Sequence, residues 1–381
     1  MSRSSFIDLS ELGKAAEEIR ITVISDAAPH RNGVGAYYQD LEQHLGEFVA
    51  DMNIICPKIH DGKWSGGLAF PLPGDKTQKF IMPNPFRIWR LMKQQKPDVV
   101  IIPTPGLFGI VGAIMAKRWG ANVIVGFHTF YEKLSGLYWR SWQRWITLFY
   151  FKTSNRILFH YADRIVVNSE IMAEAANSIG GSAIEIVGTP VSYDFIHHRA
   201  EEHSGEIKRV IFAGRLAAEK NLESIIEAAQ QHPQKEFNIV GDGPQRDEII
   251  TAAKQLANLN YIGWSSRDDL LKLIDEHDLL VLPSHVEAFG TIALEAMARC
   301  RLVLVSKNCG ILDWPELEAG LLQIKPDERL SHALTRINSM DDATRRQLAI
   351  EGRERAVTQN AWNLKQWLKL AVKPKSDICM Q

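Results

Sequence analysis

The sequence has few cysteines and no long apolar run. Its four cysteines, Cys56, Cys300, Cys309 and Cys379, are scattered over 381 residues and form no C-x-x-C pair. This spacing argues against a disulfide framework or a zinc site and is typical of a reducing compartment. No apolar run reaches the roughly 18 residues that a membrane-spanning helix needs. We therefore expect no span and no structural metal.

Signal-like and repetitive segments are also lacking. The first residues, MSRSSFIDLSELGKAAEEIR, contain no apolar core of a secretory signal, and we find no internal repeat or low-complexity tract. The composition, 45% apolar and 23% charged, is that of a globular protein long enough for two domains. We expect a cytoplasmic protein.

Net charge is also small, at −1, but it is unevenly distributed. The segment Met52–Arg164 holds 16 Lys and Arg against 5 Asp and Glu, a local charge of +11. Such asymmetry indicates an anionic partner surface. No nucleic-acid-binding motif accompanies the charge, so we expect a membrane and no nucleic acid. A solvated basic face without a partner is the alternative.

Twelve short apolar runs alternate with helical patterns along the chain. In the first half they are Ile21–Ser25, Met52–Cys56, Val99–Pro103, Val123–Phe127, Arg164–Asn168 and Ile184–Val187. In the second half they are Val210–Ala213, Phe237–Val240, Tyr261–Gly263, Leu279–Leu282, Leu302–Val305 and Leu321–Ile324. Continuous apolar strands separated by helices predict parallel sheets covered on both faces. Two sets of six predict an α/β protein with two doubly wound, Rossmann-like domains; a single barrel fits the two separate glycine-rich turns poorly.

The domain boundary is expected near Thr189–Gly205, where turn-forming residues separate the two sets of strands. We predict an N-terminal domain over residues 1–190 and a C-terminal domain over 191–354. Residues 355–381 contain Ala361–Lys373, whose apolar positions recur at helical spacing. This spacing predicts a final helix.

The segment Leu280–Ala298 predicts a strand, a polar loop and a helix, with two carboxylates, Glu287 and Glu295. The amides of Phe289, Gly290 and Thr291 open that helix. Free amides and the helix dipole hold phosphate oxygens well, while a carboxylate further along the helix can bind ribose hydroxyls. The unit therefore suits a nucleotide-activated sugar; an ordinary strand–helix unit with surface glutamates is the alternative.

The same segment resembles the signature of family-four retaining glycosyltransferases, S-x-x-E-x-F-G-x-x-x-x-E-A-M-A. The matching residues are Ser284, Glu287, Phe289, Gly290, Glu295, Ala296, Met297 and Ala298. The resemblance implies the GT-B fold, in which two Rossmann-like domains face a central cleft. In that fold the final helix, here within residues 355–381, crosses back to the first domain. It also implies that Glu287 holds hydroxyls of the donor sugar and that Glu295 binds the ribose.

Two cations follow the first strand of the second half, Arg215 and Lys220. Cations at the carboxyl end of a strand can neutralise the charge that develops on a departing diphosphate. They match the family pattern G-R-L-x-x-x-K, which implies this role. Surface cations on a loop are the alternative reading.

Four further positions are assigned through the resemblance. Gly33 corresponds to the glycine that lets the diphosphate approach the first domain, although Asn32 replaces the preceding glycine. Gly263 and Trp264 correspond to the loop beside the nucleotide base. His128 matches the His-Thr element of members with lipid acceptors, near the donor sugar and the acceptor hydroxyl. A structural histidine is the alternative.

An aromatic stripe points to the acceptor. Tyr138, Trp142, Trp145 and Phe149 recur on one face of a predicted helix, flanked by Arg140, Arg144, Lys152 and Arg156. Aromatics beside cations are typical of a helix lying on an anionic membrane. A helix docked on its own domain is the alternative.

These observations predict a retaining hexosyltransferase that uses a nucleoside diphosphate sugar and is peripheral at the inner face of the membrane. The resemblance implies that it needs no metal or other cofactor. The favoured acceptor is a membrane glycerolipid such as diacylglycerol. The alternatives are a soluble or polysaccharide-precursor acceptor, a nucleotide-sugar epimerase on the same fold, and a catalytically silent sugar-nucleotide-binding protein. The sequence does not indicate the base, the sugar or the oligomeric state.

Overall fold

The computed structural model describes residues 13–27, 33–60, 63–65, 69–72, 75–128 and 141–372. It divides into two compact domains. The first comprises Met1–Pro190 and Ala361–Gln381, and the second comprises Val191–Asn360. The first boundary predicted from the sequence lies after residue 190, and the chain is predicted to return to the first domain at residue 355.

The first domain is built on a parallel six-stranded sheet with the order β10-β9-β8-β7-β1-β2. Two antiparallel hairpins, β3–β4 and β5–β6, are added to it. The strands are β1 (Arg20–Ile24), β2 (Asp51–Ile55), β3 (Lys58–His60), β4 (Lys63–Ser65), β5 (Ala69–Leu72), β6 (Asp75–Ile81), β7 (Val99–Ile102), β8 (Asn122–Gly126), β9 (Arg164–Val167) and β10 (Ile184–Ile186).

Helices cover this sheet because its central strands are apolar on both faces. All residues of β7 and β8 are buried, as parallel strands between two helical layers require. The helices are α1 (Gly13–Glu17), α2 (Gly33–Leu45), α3 (Pro85–Gln95), α4 (Leu107–Trp119), α5 (Ser141–Tyr161) and α6 (Glu170–Ile179). The strand order reverses between β1 and β7, and ligands bind beyond the carboxyl ends of strands at such a point.

The second domain repeats the plan with the order β13-β12-β11-β14-β15-β16. Its strands are β11 (Arg209–Ala213), β12 (Glu236–Val240), β13 (Leu259–Gly263), β14 (Leu279–Leu282), β15 (Leu302–Val305) and β16 (Leu322–Gln323). Its helices are α7 (Tyr193–His197), α8 (Leu222–Gln231), α9 (Arg246–Gln255), α10 (Arg267–Asp275), α11 (Thr291–Ala298), α12 (Pro315–Glu318) and α13 (Leu330–Asn338). Here the order reverses between β11 and β14.

The last helix, α14 (Asp342–Val372), belongs to both domains. Its residues up to Asn360 lie in the second domain and those from Ala361 in the first. In the first domain Leu364, Trp367 and Leu368 are buried in the core beneath β1 and α2. The helix predicted at Ala361–Lys373 is therefore the final part of a longer one.

The predicted fold class is confirmed, with two doubly wound α/β domains of six parallel strands each. Every one of the twelve apolar runs forms a strand, with ends that differ from the prediction by a residue or two. The two hairpins were not predicted, because their short strands lack a distinctive apolar pattern. Among the residues described, none of the helices is long and apolar enough to cross a bilayer.

Candidate functional site

The N-terminus of α11 has the geometry expected for an anion site. Gly290 precedes the helix with φ +98°, and a Cβ there would lie 2.7 Å from the Cys309 Sγ atom. A side chain at this position would therefore be strained and crowded. No side chain in the described part of the chain caps the helix, and the Ala293 amide already donates to the Gly290 carbonyl at 2.8 Å. The amides before Ala293 in the first turn are therefore the donors that suit an anion. Phe289 is 2% exposed, and its ring packs against Trp314.

Lys220 and Glu287 form an ion pair beside this helix end. Lys220 ends a short 3₁₀ helix, Ala218–Lys220, that follows β11, whereas Glu287 lies in the loop after β14. The two loops are tied together because the Glu219 carbonyl accepts a hydrogen bond from the His285 amide at 2.8 Å. Burial of Lys220 disfavours its charge, but the Glu287 carboxylate outweighs this, and the pKa of Lys220 is raised. The ammonium is therefore charged and held in place.

Arg215 lies in the same loop after β11. Its Nη1 atom is 3.9 Å from Oε1 of Glu219, whose side chain is almost buried. The Arg215 side chain remains 28% exposed. The two predicted cations, Arg215 and Lys220, thus follow the same strand, and each lies beside a carboxylate. Arg215 lies beside Glu219, and Lys220 pairs with Glu287. Sequence analysis did not single out Glu219.

Glu295 is more deeply buried than its predicted ribose contact suggests. It is 1% exposed, and its Oε1 atom is 2.6 Å from Nη2 of Arg267. Burial raises the pKa of Glu295, although the Arg267 guanidinium opposes the shift. Arg267 also lies 5.4 Å from the centre of the Phe195 ring. A ribose at Glu295 must therefore share the carboxylate with Arg267 or displace it.

Arg267 was not predicted, and its position carries only a weak signal. It is the first residue of α10, three residues after Trp264 in the loop assigned to the base. Gly263 has φ +89°, and Trp264 is 63% exposed at the end of β13. The Gly263 carbonyl accepts a hydrogen bond from the Gly241 amide at 2.8 Å, so neighbouring turns are joined at the carboxyl ends of their strands.

His128 follows β8 in the first domain and is enclosed by aromatic rings. Its Nε2 atom is 2.8 Å from the Tyr38 hydroxyl, and the Tyr37 ring centre lies 4.7 Å from the imidazole. Trp367 of α14 donates a hydrogen bond to the Tyr37 hydroxyl at 2.8 Å. Burial lowers the pKa of His128 to about 4, so the imidazole is neutral near pH 7.

The second ring nitrogen of His128 has no partner in the described structure. Nδ1 is buried and makes no hydrogen bond to any described residue. Gly126 is needed beside it, because a Cβ there would lie 2.2 Å from the Tyr38 hydroxyl. Sequence analysis assigned His128 and missed both tyrosines and Trp367, which lie far away in the sequence.

Gly33 is the first residue of α2, the helix that carries Tyr37 and Tyr38. A Cβ at Gly33 would meet no atom within 4 Å. The space beside its backbone is therefore open within the described structure. The preceding residues, 28–32, lie outside the described part of the chain.

The aromatic stripe falls on α5. Trp145 and Phe149 are 69% and 61% exposed, and their rings stack at 5.8 Å. Other faces of α5 dock on the domain through Thr147, Phe151 and Leu158, which are buried. Lys152 and Arg156 are exposed. Tyr138 and Arg140 lie outside the described residues, as do the side chains of Trp142 and Arg144.

The described residues contain no group of three or more His, Cys, Asp or Glu side chains that could hold a metal ion.

The contacts described above bring the predicted site residues into two sets. One set is in the second domain and includes Arg215, Lys220, Glu287 and the start of α11. The other is in the first domain and centres on His128.

Comparison with known proteins agrees with both domains. Residues 31–195 match the family model described as Glycosyltransferase Family 4, and residues 194–355 match Glycosyl transferases group 1. Sulfoquinovosyl transferase SQD2 of Arabidopsis thaliana is 23% identical over 79% of this chain, and the match covers 62% of that protein. The chain thus spans less than two thirds of this relative's length.

Solved structures share the fold. Sucrose-phosphate synthase from Thermosynechococcus elongatus superposes with a TM-score of 0.68 at 17% identity, over 92% of this chain and 98% of that one. Anabaena HepE in complex with UDP-glucose gives 0.66 at 16% identity, over 92% and 98%. The two family matches adjoin and together reach from residue 31 to residue 355. The chain belongs to glycosyltransferase family 4 and has the GT-B fold.

Proposed function

We propose that this protein transfers a hexose from a nucleoside diphosphate sugar to a hydroxyl acceptor, with retention of anomeric configuration. The observation that carries the proposal is the cluster at the carboxyl ends of β11 and β14. There, the Lys220–Glu287 pair, Arg215 and the uncapped start of α11 lie together. This set offers positive charge to a diphosphate and a carboxylate to sugar hydroxyls.

The residues of this cluster have complementary roles in the proposed reaction. The bond between the anomeric carbon and the β-phosphate oxygen breaks, and the electron pair stays on the phosphate. Arg215, Lys220 and the α11 amides stabilise that developing charge. The acceptor oxygen bonds to the anomeric carbon on the same face, and its proton passes to the β-phosphate. No protein nucleophile and no metal is required.

Glu287 has two roles in the proposed reaction. Before the donor binds, it pairs with Lys220. When a diphosphate takes up part of the Lys220 charge, a carboxylate oxygen of Glu287 becomes available to the donor hydroxyls. Glu295 binds the ribose together with Arg267, and Trp264 offers an exposed ring for the base. His128 offers Nδ1 to the sugar or the acceptor hydroxyl.

Uridine diphosphate sugars are the first donors to test, since the superposed Anabaena structure contains UDP-glucose. A donor at about 100 times its dissociation constant stabilises the fold by roughly 2.7 kcal/mol. Thermal unfolding with UDP, GDP and their sugars therefore identifies the base. Lys220→Ala should abolish the stabilisation, whereas Lys272→Ala, an exposed cation of the same domain, should retain it. No response to any nucleoside diphosphate would contradict the proposal.

A membrane glycerolipid such as diacylglycerol is the proposed acceptor. The exposed Trp145 and Phe149 and the basic segment Met52–Arg164 support it. Transfer to diacylglycerol in vesicles, followed by analysis of the labelled product, tests this. Labelled product in the aqueous phase would favour a soluble or polysaccharide-precursor acceptor. Release of an isomerised sugar without acceptor would favour an epimerase.

A further inference from the structure

The first domain carries a second exposed aromatic group, on a helix separate from the stripe of α5. Phe86 is 86% exposed, the largest value among the exposed large apolar residues of the described chain, and Trp89 and Met82 are 39% and 47% exposed. Exposed large apolar side chains that cluster together mark interaction sites more often than isolated ones do. The first turn of α3 is therefore a candidate surface.

This turn is held firmly. The Asn84 side chain accepts a hydrogen bond from the Arg87 amide at 3.2 Å, and Pro85 occupies the first helical position. Ile88 and Met92, on the inner face of α3, are 1% and 0% exposed. Because the helix is capped and docked, Phe86 is presented outward by ordered backbone.

The stretch of chain that contains these side chains is rich in cations and has no acidic residue. Between Asp75 and Asp98 the chain contains Lys and Arg but no Asp or Glu. On α3 itself, Arg90 and Lys93 are exposed, and Lys96 follows the helix. No ion pair within the described residues involves these three. Trp beside long basic side chains is the combination found at the interface of anionic bilayers.

The α3 turn and the α5 stripe belong to helices that both contact the start of α4. The Tyr150 hydroxyl of α5 donates a hydrogen bond to the Pro105 carbonyl at 3.5 Å. In addition, Phe108 at the start of α4 lines a small cavity together with Asn84, Arg87 and Ile88. Both aromatic groups therefore lie beside the start of α4, which follows the carboxyl end of β7.

We propose that the first turn of α3, with Phe86, Trp89 and its adjoining cations, is a second membrane contact that inserts into an anionic lipid surface alongside the α5 stripe. The proposal deepens the lipid-acceptor part of the proposed function and rests on it. Two contacts beside the start of α4 hold the carboxyl edge of the first sheet against the bilayer. A lipid acceptor could then reach the protein without leaving the membrane.

Vesicle co-sedimentation tests the proposal with the full chain. The probe is phosphatidylcholine vesicles with and without phosphatidylglycerol. Phe86→Ser should lower the partition onto the anionic vesicles about tenfold, because one exposed aromatic anchor is lost. Ile171→Ser is the matched control, since Ile171 is an exposed apolar residue on α6 of the same domain, and it should bind as the parent does.

A charge variant completes the test. Arg90→Gln with Lys93→Gln should weaken binding to anionic vesicles and leave the weak binding to neutral ones unchanged. Lys254→Gln with Lys272→Gln, two exposed positions in the second domain, should have no effect. The proposal is overturned if Phe86→Ser binds the anionic vesicles as the parent does. It is also overturned if the parent is a dimer and Phe86→Ser is a monomer, because the surface would then be an interface between two copies of the chain.

The thermal response to the donor separates this proposal from the proposed function. Phe86→Ser should unfold at the parent's temperature and keep the parent's stabilisation by the donor. If the parent binds anionic vesicles through Phe86 and no nucleoside diphosphate stabilises it, the proposed function fails while the surface stands. If the donor stabilises the parent and vesicles do not bind, the surface fails alone.

Discussion

The two domains differ in how the charged side chains of their candidate sites are placed, although the first domain also has a half-buried pair, Lys117–Asp163. In the second domain the pairs Lys220–Glu287, Arg267–Glu295 and Arg299–Asp275 each have at least one partner whose side chain is no more than 16% exposed. In the first domain Arg90 and Lys93 of α3 and Lys152 and Arg156 of α5 are exposed. Desolvated charges act strongly on a ligand in contact and resist salt, whereas exposed charges act at a distance and are screened.

This contrast teaches that charge counts alone do not locate a site. The first domain contains the basic segment of +11, yet its enclosed candidate residue, His128, is neutral near pH 7. The second domain gathers the paired charges that suit a diphosphate. The following experiments are arranged from the largest expected effect to the smallest.

The largest effect is expected at the diphosphate cations. Lys220→Ala or Arg215→Ala should lower turnover roughly 10²–10³-fold, equivalent to about 2.7–4 kcal/mol, because each stabilises leaving-group charge. Initial rates at saturating donor measure this, with Lys272→Ala as the exposed control. Parental rates in both variants would remove the distinction between buried and exposed cations.

Next comes the buried pair in the second domain. Arg267→Ala should destabilise the protein by about 3 kcal/mol at pH 8, because it leaves Glu295 charged and buried without its partner. Burial raises the pKa of Glu295 in the folded protein. The stability that this carboxyl contributes is therefore fully present below its pKa in the unfolded chain, and it is lost as the pH rises through its pKa in the folded protein. Denaturant unfolding at pH 5 and pH 8 measures this.

Glu295→Gln separates the two roles of this carboxylate. In the Arg267→Ala background it should restore most of the lost stability, since no buried charge remains. Alone, it should reduce donor affinity more than stability, because a charge-assisted hydrogen bond to the ribose is weakened. A lower unfolding midpoint with unchanged donor affinity would mean that Glu295 is purely structural.

The first domain should show a pH effect through His128. Burial lowers its folded pKa to about 4 from 6.5. As pH falls through this range, the unfolded chain binds a proton before the folded one, so stability falls. At pH 5 the loss is about 2 kcal/mol relative to pH 8. This loss is measured as the difference between the parent and His128→Gln in how the free energy of unfolding depends on pH. The same pH dependence in the two proteins would contradict the enclosure of the imidazole.

A smaller effect is expected for a single exposed cation. Lys152→Gln should weaken binding to anionic vesicles about fivefold at low salt, since each cation near the surface contributes about 1 kcal/mol. The difference should shrink at high salt because the Debye length falls to about 3 Å at 1 M. Lys254→Gln in the second domain is the control. A salt-independent difference would indicate that Lys152 acts by packing.

The smallest effect is expected from chelation. Protein cations and helix amides supply the positive charge in the proposed reaction, so turnover in EDTA should equal turnover in buffer. Complete loss that Mg²⁺ or Mn²⁺ restores would overturn the metal-free proposal. It would also weaken the role assigned to Arg215 and Lys220.

Much of the fold could be predicted because its signals are local. An apolar run such as Leu279–Leu282 reveals a buried parallel strand within its own four residues. Gly290 and the carboxylates Glu287 and Glu295 follow at a spacing that a strand–loop–helix unit dictates. The hairpins β3–β4 and β5–β6 had no such signal, because short strands with mixed polarity resemble loops.

The partners of the site residues could not be predicted, because they depend on chain segments brought together from far apart. Tyr38 meets His128 across 90 positions, Lys220 meets Glu287 across 67, and Trp367 meets Tyr37 across 330. Periodicity within one element carries no information on such pairs. The sequence by itself therefore determined the strands, the two sheets and the candidate residues. Only the tertiary structure decided which charges are buried, which are paired and which face the solvent, since desolvation depends on everything packed around a side chain.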